Sequence, residues 1–249
     1  IMTLSQALAD GAPQLHEGRA QNIMACGLVQ RGPLDDEFSA ADVIAEGDFS
    51  TSYVEHAYIE PEAGYAVRVG DRLEIYAGTQ APYMDRDDMA RIMGGSVEDI
   101  RIVPITAGGG FGSKLDISVQ PYIALAAWYT HRPARIVYSR TESMQSTTKR
   151  HPAEIKAKIG ATKSGKLTAM DFQGDFNTGA YASWGPTVAN RVPVHASGPY
   201  YFPAYRAKSR GIHTNGPSSG AFRGFGIPQT AFAQETLFDE LANSIGMDR

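Results

Sequence analysis

Residues 152–177 carry the pattern that most restricts the fold, because two stretches suited to strands stand on either side of a turn. In the first stretch, three apolar residues alternate with three charged ones: Ile155, Ala157 and Ile159 against Glu154, Lys156 and Lys158. The tetrapeptide KSGK (163–166) predicts a turn, and LTAMDFQGDF (167–176) returns from it. This arrangement predicts two adjacent antiparallel strands.

Strand and helix signals are intermixed along the rest of the chain. Helices are predicted at 3–10, 82–93, 118–130 and from 228 to a glycine stop at 246. The helix at 118–130 is expected to be buried over most of its surface. Strands are predicted from 41, in a hairpin around Gly70-Asp71, and at 100–105, 134–140 and 205–214. No regular strand–helix–strand rhythm links these segments, so we expect an α+β fold that is not doubly wound. Residues 1–40 are predicted as a short helix and an irregular linker, and 41–249 as the main domain.

Composition excludes several classes of function. The net charge is −4 without a long block of one sign, which argues against nucleic-acid binding. No apolar run approaches ~20 residues, so no membrane span is predicted. Cys26 is the only cysteine, which excludes an internal disulfide, an iron–sulfur cluster and a thiolate zinc site. These features favour a cytoplasmic protein, and we expect Cys26 to be a small buried residue.

Glycines concentrate at 108–112 and 220–226. The first cluster, in TAGGGFGSKLD (106–116), is not a phosphate loop, because Ser113 stands where the second glycine belongs and Leu115 follows Lys114. The dinucleotide-binding spacing fails at the same serine. Glycines without Cβ atoms would let a bulky group approach and accept hydrogen bonds from backbone N–H groups. The alternative is a bulge or a flexible turn.

The second cluster, SSGAFRGFGIPQ (218–229), repeats the pattern of an aromatic residue between glycines. Gly224 and Gly226 flank Phe225, Arg223 is close by, and a helix begins near Pro228. A helix N-terminus with a guanidinium suits an anion or an oxo group. The alternative is an arginine paired with a carboxylate in a tight turn.

A further pattern, EHAYIEPE (55–62), has two interpretations. Glu55, His56, Glu60 and Glu62 could form a metal site, since Glu60 and Glu62 would share one face of a strand with His56. Pro61 breaks such a strand, so we favour a structural turn and predict no metal ligands in the chain.

These motifs together resemble the molybdenum hydroxylases, the xanthine dehydrogenase and aldehyde oxidoreductase family. The resemblance rests on the order Thr79-Gln80, GGGFGSK (108–114), RHP (150–152) and GAFRGFG-PQ (220–229), with secondary matches at 55–62 and 241–249. It implies the first molybdopterin-binding domain of a large subunit. The hammerhead domain and the second molybdopterin domain, with the catalytic glutamate, are expected to lie outside the chain.

The resemblance also implies roles for individual residues. Gln80 aligns with the glutamine that donates to an oxo ligand of molybdenum, and Gly110, Phe111 and Gly112 align with backbone contacts to the cofactor. Arg223 aligns with an arginine at the molybdenum end of the pterin. Phe225 and Arg191 align with substrate contacts, while Leu115 stands where xanthine enzymes have a substrate-binding glutamate.

The expected function is therefore a share in a molybdenum-dependent oxidoreductase that hydroxylates an aldehyde or an N-heterocycle with water as oxygen source. The resemblance implies a molybdenum–molybdopterin cofactor, with its cytosine dinucleotide form left open. Iron–sulfur clusters, and FAD if there is one, would lie on other domains or subunits. The isolated chain is expected to be inactive. The alternative function is a non-catalytic binding or assembly module that keeps the fold without the cofactor.

Overall fold

The computed structural model describes residues 1–248, which form seven helices and nine strands in two mixed sheets. The strands are β1 (Ile23–Arg31), β2 (Val43–Thr51), β3 (Ala63–Val69), β4 (Arg72–Ala77), β5 (Ile100–Pro104), β6 (Ala134–Val137), β7 (Ala153–Ala161), β8 (Leu167–Gly179) and β9 (Ala204–His213). The helices are α1 (Leu4–Leu8), α2 (Leu34–Ser39), α3 (Pro82–Met93), α4 (Gln120–Thr130), α5 (Arg140–Ser146), α6 (Gly185–His195) and α7 (Ile227–Ile245). The predicted α+β class is confirmed.

The chain divides into two compact units. Unit 1 comprises residues 1–54, 150–220 and the C-terminal stretch from Gly224. Unit 2 comprises residues 55–149 together with the tripeptide 221–223.

Unit 1 is built on a five-stranded sheet in the order β1-β9-β8-β7-β2. All neighbours are antiparallel except β8 and β9, which are parallel. The alternation in β7 is confirmed: Ile155 and Ile159 are buried in the core, whereas Glu154 and Lys156 are exposed. Helices α6 and α7 cover the apolar face of this sheet.

Unit 2 is built on a four-stranded sheet in the order β5-β4-β3-β6, in which only β4 and β5 are parallel. Helices α3 and α4 pack on it around a core that includes Leu73, Ile75, Met89 and Ile123. The chain enters this unit at Glu55 and leaves its long segment at Lys149. These two residues form an ion pair with 2.6 Å between Oε2 and Nζ.

Several sequence-based expectations are wrong. The stretch predicted as irregular between 12 and 40 contains β1 and α2, and β1 pairs with β9. Helices α5 and α6 were not predicted. Helix α4 is buried on one face only, because Tyr122 and Tyr129 are 60% and 76% exposed. Cys26 is exposed on β1 rather than buried, because its position on the strand faces away from the core.

None of the helices in residues 1–248 combines the length and the apolar character needed to cross a membrane.

Candidate functional site

The loop formed by residues 108–114 follows β5 in unit 2, and its glycines are required by close contacts within the protein. A Cβ atom on Gly108 would lie 2.5 Å from Cβ of Glu60, and one on Gly112 would lie 2.6 Å from the carbonyl oxygen of Ala221. A Cβ on Gly110 would collide with the side-chain amide of Gln80. The glycines therefore allow a close approach to the loop, as predicted, but on this side the approaching groups are the protein's own residues.

The backbone of the loop also needs glycine for conformational reasons. Gly109 and Gly112 have φ values of 105° and 114°, in a region that residues with side chains rarely adopt. Phe111 lies between them at φ 52°, which is unusual for a bulky residue, and its side chain is 48% exposed. Strained backbone of this kind persists only where surrounding contacts enforce it.

Gln80 is held against the loop at two points. Its backbone N–H donates to the carbonyl oxygen of Lys114 at 2.9 Å, and its side-chain Oε1 accepts from the N–H of Gly112 at 2.9 Å. The second hydrogen bond determines the orientation of the side-chain amide, with its oxygen facing the loop. The Nε2 group is therefore the donor end of an otherwise exposed side chain.

A buried carboxyl group supports the segment that carries Gln80. Asp85 on α3 is 1% exposed, and its carboxylate accepts from Nε2 of Gln120 at 3.1 Å. Burial raises the pKa of Asp85 to about 6, against the effect of hydrogen bonds from Thr79 and Gln120. Because Thr79 Oγ1 also accepts from the N–H of Ala81 at 3.0 Å, this network fixes the backbone on both sides of Gln80.

The tripeptide 221–223 lies against the other side of the loop. The N–H of Arg223 donates to the carbonyl oxygen of Phe111 at 2.8 Å. His56 anchors the same tripeptide, since its Nε2 lies 2.8 Å from the carbonyl oxygen of Ala221 and its ring stacks on Phe222 at 3.9 Å. Unit 2 thus brings together Gln80, residues 110–112 and Arg223. Leu115, which follows the loop in sequence, is partly buried.

The loop retains backbone donors. Within residues 1–248, the N–H groups of Gly109, Gly110 and Phe111 have no hydrogen-bond acceptor. Together with Nε2 of Gln80, they form a set of neutral donors in unit 2. Such a set suits oxo or other anionic ligands, and the Arg223 side chain adds a positive charge.

Lys114 does not serve as a phosphate-binding lysine. Its side chain is 4% exposed and Nζ lies 2.7 Å from Oε2 of Glu60. The same carboxylate oxygen accepts from the N–H of Gly108. A phosphate would have to displace this carboxylate. The contacts therefore agree with the sequence, in which the spacing of glycines and lysine does not match a phosphate-binding loop.

The carboxylates of 55–62 have partners within unit 2. Glu62 accepts from the hydroxyl of Tyr58, and Glu60 pairs with Lys114. Glu55 pairs with Lys149; burial alone would raise the pKa of Glu55, but hydrogen bonds with His56 and Lys149 lower it to about 2. No cluster of metal-ligating side chains is found in the described residues. These contacts support the interpretation of 55–62 as a structural turn.

Arg191 and Phe225 come together in unit 1. The guanidinium carbon of Arg191 lies 5.6 Å from the ring centroid of Phe225, and Trp184 meets the same ring edge-on at 6.1 Å. Phe225 lies between Gly224 and Gly226 with φ 48°, and Phe111 likewise lies between two glycines with φ 52°. Sequence reasoning missed Trp184, one of two tryptophans in the chain and the N-cap of α6.

The RHP and PQ motifs meet within unit 1. Nε2 of Gln229 donates to the carbonyl oxygen of His151 at 3.1 Å, and Nη1 of Arg150 lies 3.4 Å from Oε1 of Gln229. Burial lowers the pKa of His151 to about 3, so its ring is neutral. These residues have a structural role in joining β7 to α7.

Comparison with known proteins identifies the family of the chain. Residues 15–249 match the family described as the molybdopterin cofactor-binding domain. The chain is 40% identical over 249 residues to the nicotinate dehydrogenase large molybdopterin subunit of Eubacterium barkeri, covering 100% of this chain and 58% of that protein. It is 41% identical over 244 residues to a probable xanthine dehydrogenase subunit of Bacillus subtilis, covering 98% of this chain and 32% of that protein.

The fold is shared with a solved enzyme. The aldehyde oxidoreductase of Desulfovibrio gigas superposes with a TM-score of 0.94 at 31% identity, over 99% of this chain and 27% of that one. The chain thus spans between 27% and 58% of the length of these three relatives. On these matches, the chain belongs to the molybdopterin cofactor-binding domain family of the xanthine dehydrogenase and aldehyde oxidoreductase enzymes.

Proposed function

We propose that this chain provides part of the cofactor site of a molybdenum-dependent enzyme that hydroxylates an aldehyde or an N-heterocycle with oxygen from water. The observation that carries the proposal is the fixed amide of Gln80. Its oxygen is bound by the N–H of Gly112, which leaves Nε2 as a donor of defined orientation. A relative named nicotinate dehydrogenase and another named aldehyde oxidoreductase support this class of substrate.

The residues present fit a molybdenum–molybdopterin group. Its oxo and other anionic ligands need donors that do not themselves ionise, and Nε2 of Gln80 and the free N–H groups of Gly110 and Phe111 are of this kind. Arg223 would balance negative charge. When bound, the group supplies two-electron oxidation of a C–H bond; the chain's own residues bind and orient it.

The resemblance implies substrate contacts for Phe225 and Arg191 in unit 1 and for Leu115 in unit 2. The ring of Phe225, which contacts Arg191 and Trp184, offers an apolar surface for a flat or small carbonyl substrate. Arg191 would hydrogen-bond a substrate oxygen. Leu115 has no hydrogen-bonding side chain, so it disfavours xanthine itself and leaves aldehydes and other N-heterocycles as substrates.

The remaining parts of the enzyme are assigned to regions outside these 249 residues. The second molybdopterin domain would provide the general base and further pterin contacts. Iron–sulfur clusters, and a flavin where there is one, would accept the electrons. The form of the pterin, including the cytosine dinucleotide, and a cytoplasmic location stay predictions.

The test is to measure molybdenum and pterin in the purified chain, alone and after co-expression with the second molybdopterin domain. We expect cofactor only in the co-expressed sample, because this chain supplies only some of the contacts. Cofactor in the chain alone would contradict the proposed sharing of the site. Cofactor in neither sample would favour the non-catalytic module.

A further inference from the structure

Glu60 contacts both ends of the loop 108–114. Its backbone N–H donates to the carbonyl oxygen of Gly108 at 3.2 Å. Its carboxylate oxygen Oε2 accepts from the N–H of Gly108 and lies 2.7 Å from Nζ of Lys114. One side chain therefore joins the first and last residues of the loop that carries Phe111.

The surroundings hold the carboxylate in this position. The Lys114 side chain is 4% exposed, and its Nζ lies 4.8 Å from the ring centroid of Tyr58. Gly78 lies directly against this ion pair, since a Cβ there would lie 3.3 Å from Nζ of Lys114 and 3.4 Å from Oε1 of Glu60.

The backbone preceding Glu60 is fixed as well. Nη2 of Arg140 donates to the carbonyl oxygens of Tyr58 and Ile59 at 2.6 Å and 2.8 Å. The segment that delivers the carboxylate to the loop is thus also anchored by Arg140, a residue outside the loop.

A glycine N–H group and a lysine ammonium that converge on one oxygen are the donors with which loops bind phosphate or carboxylate ligands. Here that ligand is part of the chain. We infer that 108–114 is an anion-binding loop whose site is filled by the carboxylate of Glu60, which is thereby the positioning residue for Phe111 and Gly112. The inference concerns the loop itself and does not depend on the proposed cofactor.

Removing the carboxylate should leave a vacant site for a small anion. In the full-length protein, the thermal unfolding of Glu60→Ala is followed as sodium acetate replaces sodium chloride at constant ionic strength. We expect acetate to raise the unfolding temperature of Glu60→Ala in a saturable way, because a ligand that binds only the folded state stabilises it. Wild type and the control Glu154→Ala, which removes an exposed carboxylate on β7, should show a smaller and equal response.

A double variant makes the test decisive. Glu60→Ala/Lys114→Met should lose the acetate response, because the anion's cationic partner is gone. An equal response in Glu60→Ala and wild type, or a response that survives the loss of Lys114, would overturn the inference.

A conservative variant covers the case in which Glu60→Ala does not fold. Glu60→Gln keeps the shape but loses the charge that strengthens both bonds. We expect hydrogen exchange in the peptide 106–115 to become about tenfold faster or more. Exchange at the wild-type rate would overturn the inference. Neither measurement requires a loaded cofactor. A negative result would therefore overturn the inference about Glu60 without bearing on the proposed function.

Discussion

The N–H of Gly112 and the Oε1 atom of Gln80 are joined by a 2.9 Å hydrogen bond across 32 residues of sequence. This bond uses the acceptor end of the amide and leaves the donor end at a defined position. A carboxamide held in this way can distinguish an acceptor such as an oxo group from a donor. The loop and the glutamine therefore form one hydrogen-bonded element of unit 2.

Replacing Gln80 should show that the donor end of its amide is the end on which the reaction rate depends. Gln80→Glu keeps an acceptor for the N–H of Gly112 but removes the donor, whereas Gln80→Ala removes both. We expect both variants of the full-length enzyme to lower the rate of the chemical step by about 10²- to 10³-fold, the usual effect of losing one donor to a reacting oxygen. Single-turnover kinetics, normalised to molybdenum content, measures this effect. An unchanged rate would remove Gln80 from the site.

Gly110→Ala should affect the rate more than the stability. The added methyl group would collide with the amide of Gln80 and lie 2.8 Å from its Cδ, and a flexible side chain can move away. We expect a loss of under ~1 kcal/mol in the free energy of unfolding, with a rate close to that of Gln80→Ala.

The matched control for Gly110→Ala is Gly70→Ala. Gly70 has φ 63° and no atom within 4 Å of the position that a Cβ would take, so alanine there costs about 1–2 kcal/mol of backbone strain without touching the site. Urea unfolding and turnover of both variants give the comparison. A Gly110→Ala enzyme with wild-type turnover would contradict the contact.

Asp85 should make the protein less stable as the pH rises. Its pKa is about 6 in the folded protein and 3.8 in the absence of burial, so the folded state binds the proton more tightly. The stabilisation is complete below about pH 3.8 and is lost as the pH rises through 6, by about 3 kcal/mol in total.

Asp85→Asn removes this titration but preserves the shape of the side chain. We expect its free energy of unfolding to exceed that of the wild type at pH 7 and to lack the decline between pH 4 and pH 7. Urea unfolding across this range measures both proteins. Parallel curves for the two proteins would show that Asp85 is not the titrating group.

Arg223 and Arg191 should have separable effects. Arg223→Ala removes a positive charge beside the loop and should lower molybdenum content about tenfold or more. Arg191→Ala should change the ratio of kcat/KM between an aldehyde and an N-heterocycle while molybdenum content stays near the wild-type value. Arg91→Ala, on the exposed side of α3, is the control. Loss of cofactor in the Arg191 variant alone would reverse the two assignments.

Elements with strong local signals were predicted well from the sequence. Helix α3 begins at Pro82 and ends before Gly94, as predicted, because proline fits the first turn and the glycine adopts the left-handed conformation that ends the helix. The strands β7 and β8 follow from alternation and a four-residue turn.

The elements that were missed have weak or contradictory local signals. Strand β1 places Gly27 at its centre and has no regular alternation of apolar residues, so only its pairing with β9 establishes it. Helix α6 contains Pro193, which ordinarily argues against a helix. Tertiary contacts override these local preferences.

Part of the candidate site could be identified from motifs, but its geometry could not. The resemblance named Gln80 and Phe111, whereas the bond between Gln80 and Gly112 and the contact of Glu60 with Lys114 join residues 32 and 54 positions apart. The sequence indicates for Glu60 only membership of a metal cluster or of a structural turn, because its partner on the loop lies far along the chain. Long-range contacts of this kind leave no periodic signal.

The ion pair between Glu55 and Lys149 has a consequence for the order of folding. Strands β2 and β7 pair at positions 102 or more residues apart, and bringing such distant segments together costs loop-closure entropy. If unit 2 forms early, its two ends meet at this ion pair, and Thr51 and Ala153 then close a short gap rather than a long loop. We expect Glu55→Ala to slow refolding more than it speeds unfolding, as a contact in the folding nucleus does, and stopped-flow measurements of both rates would detect this. The inserted unit would then act as a folding template for the strands on either side of it in the sequence.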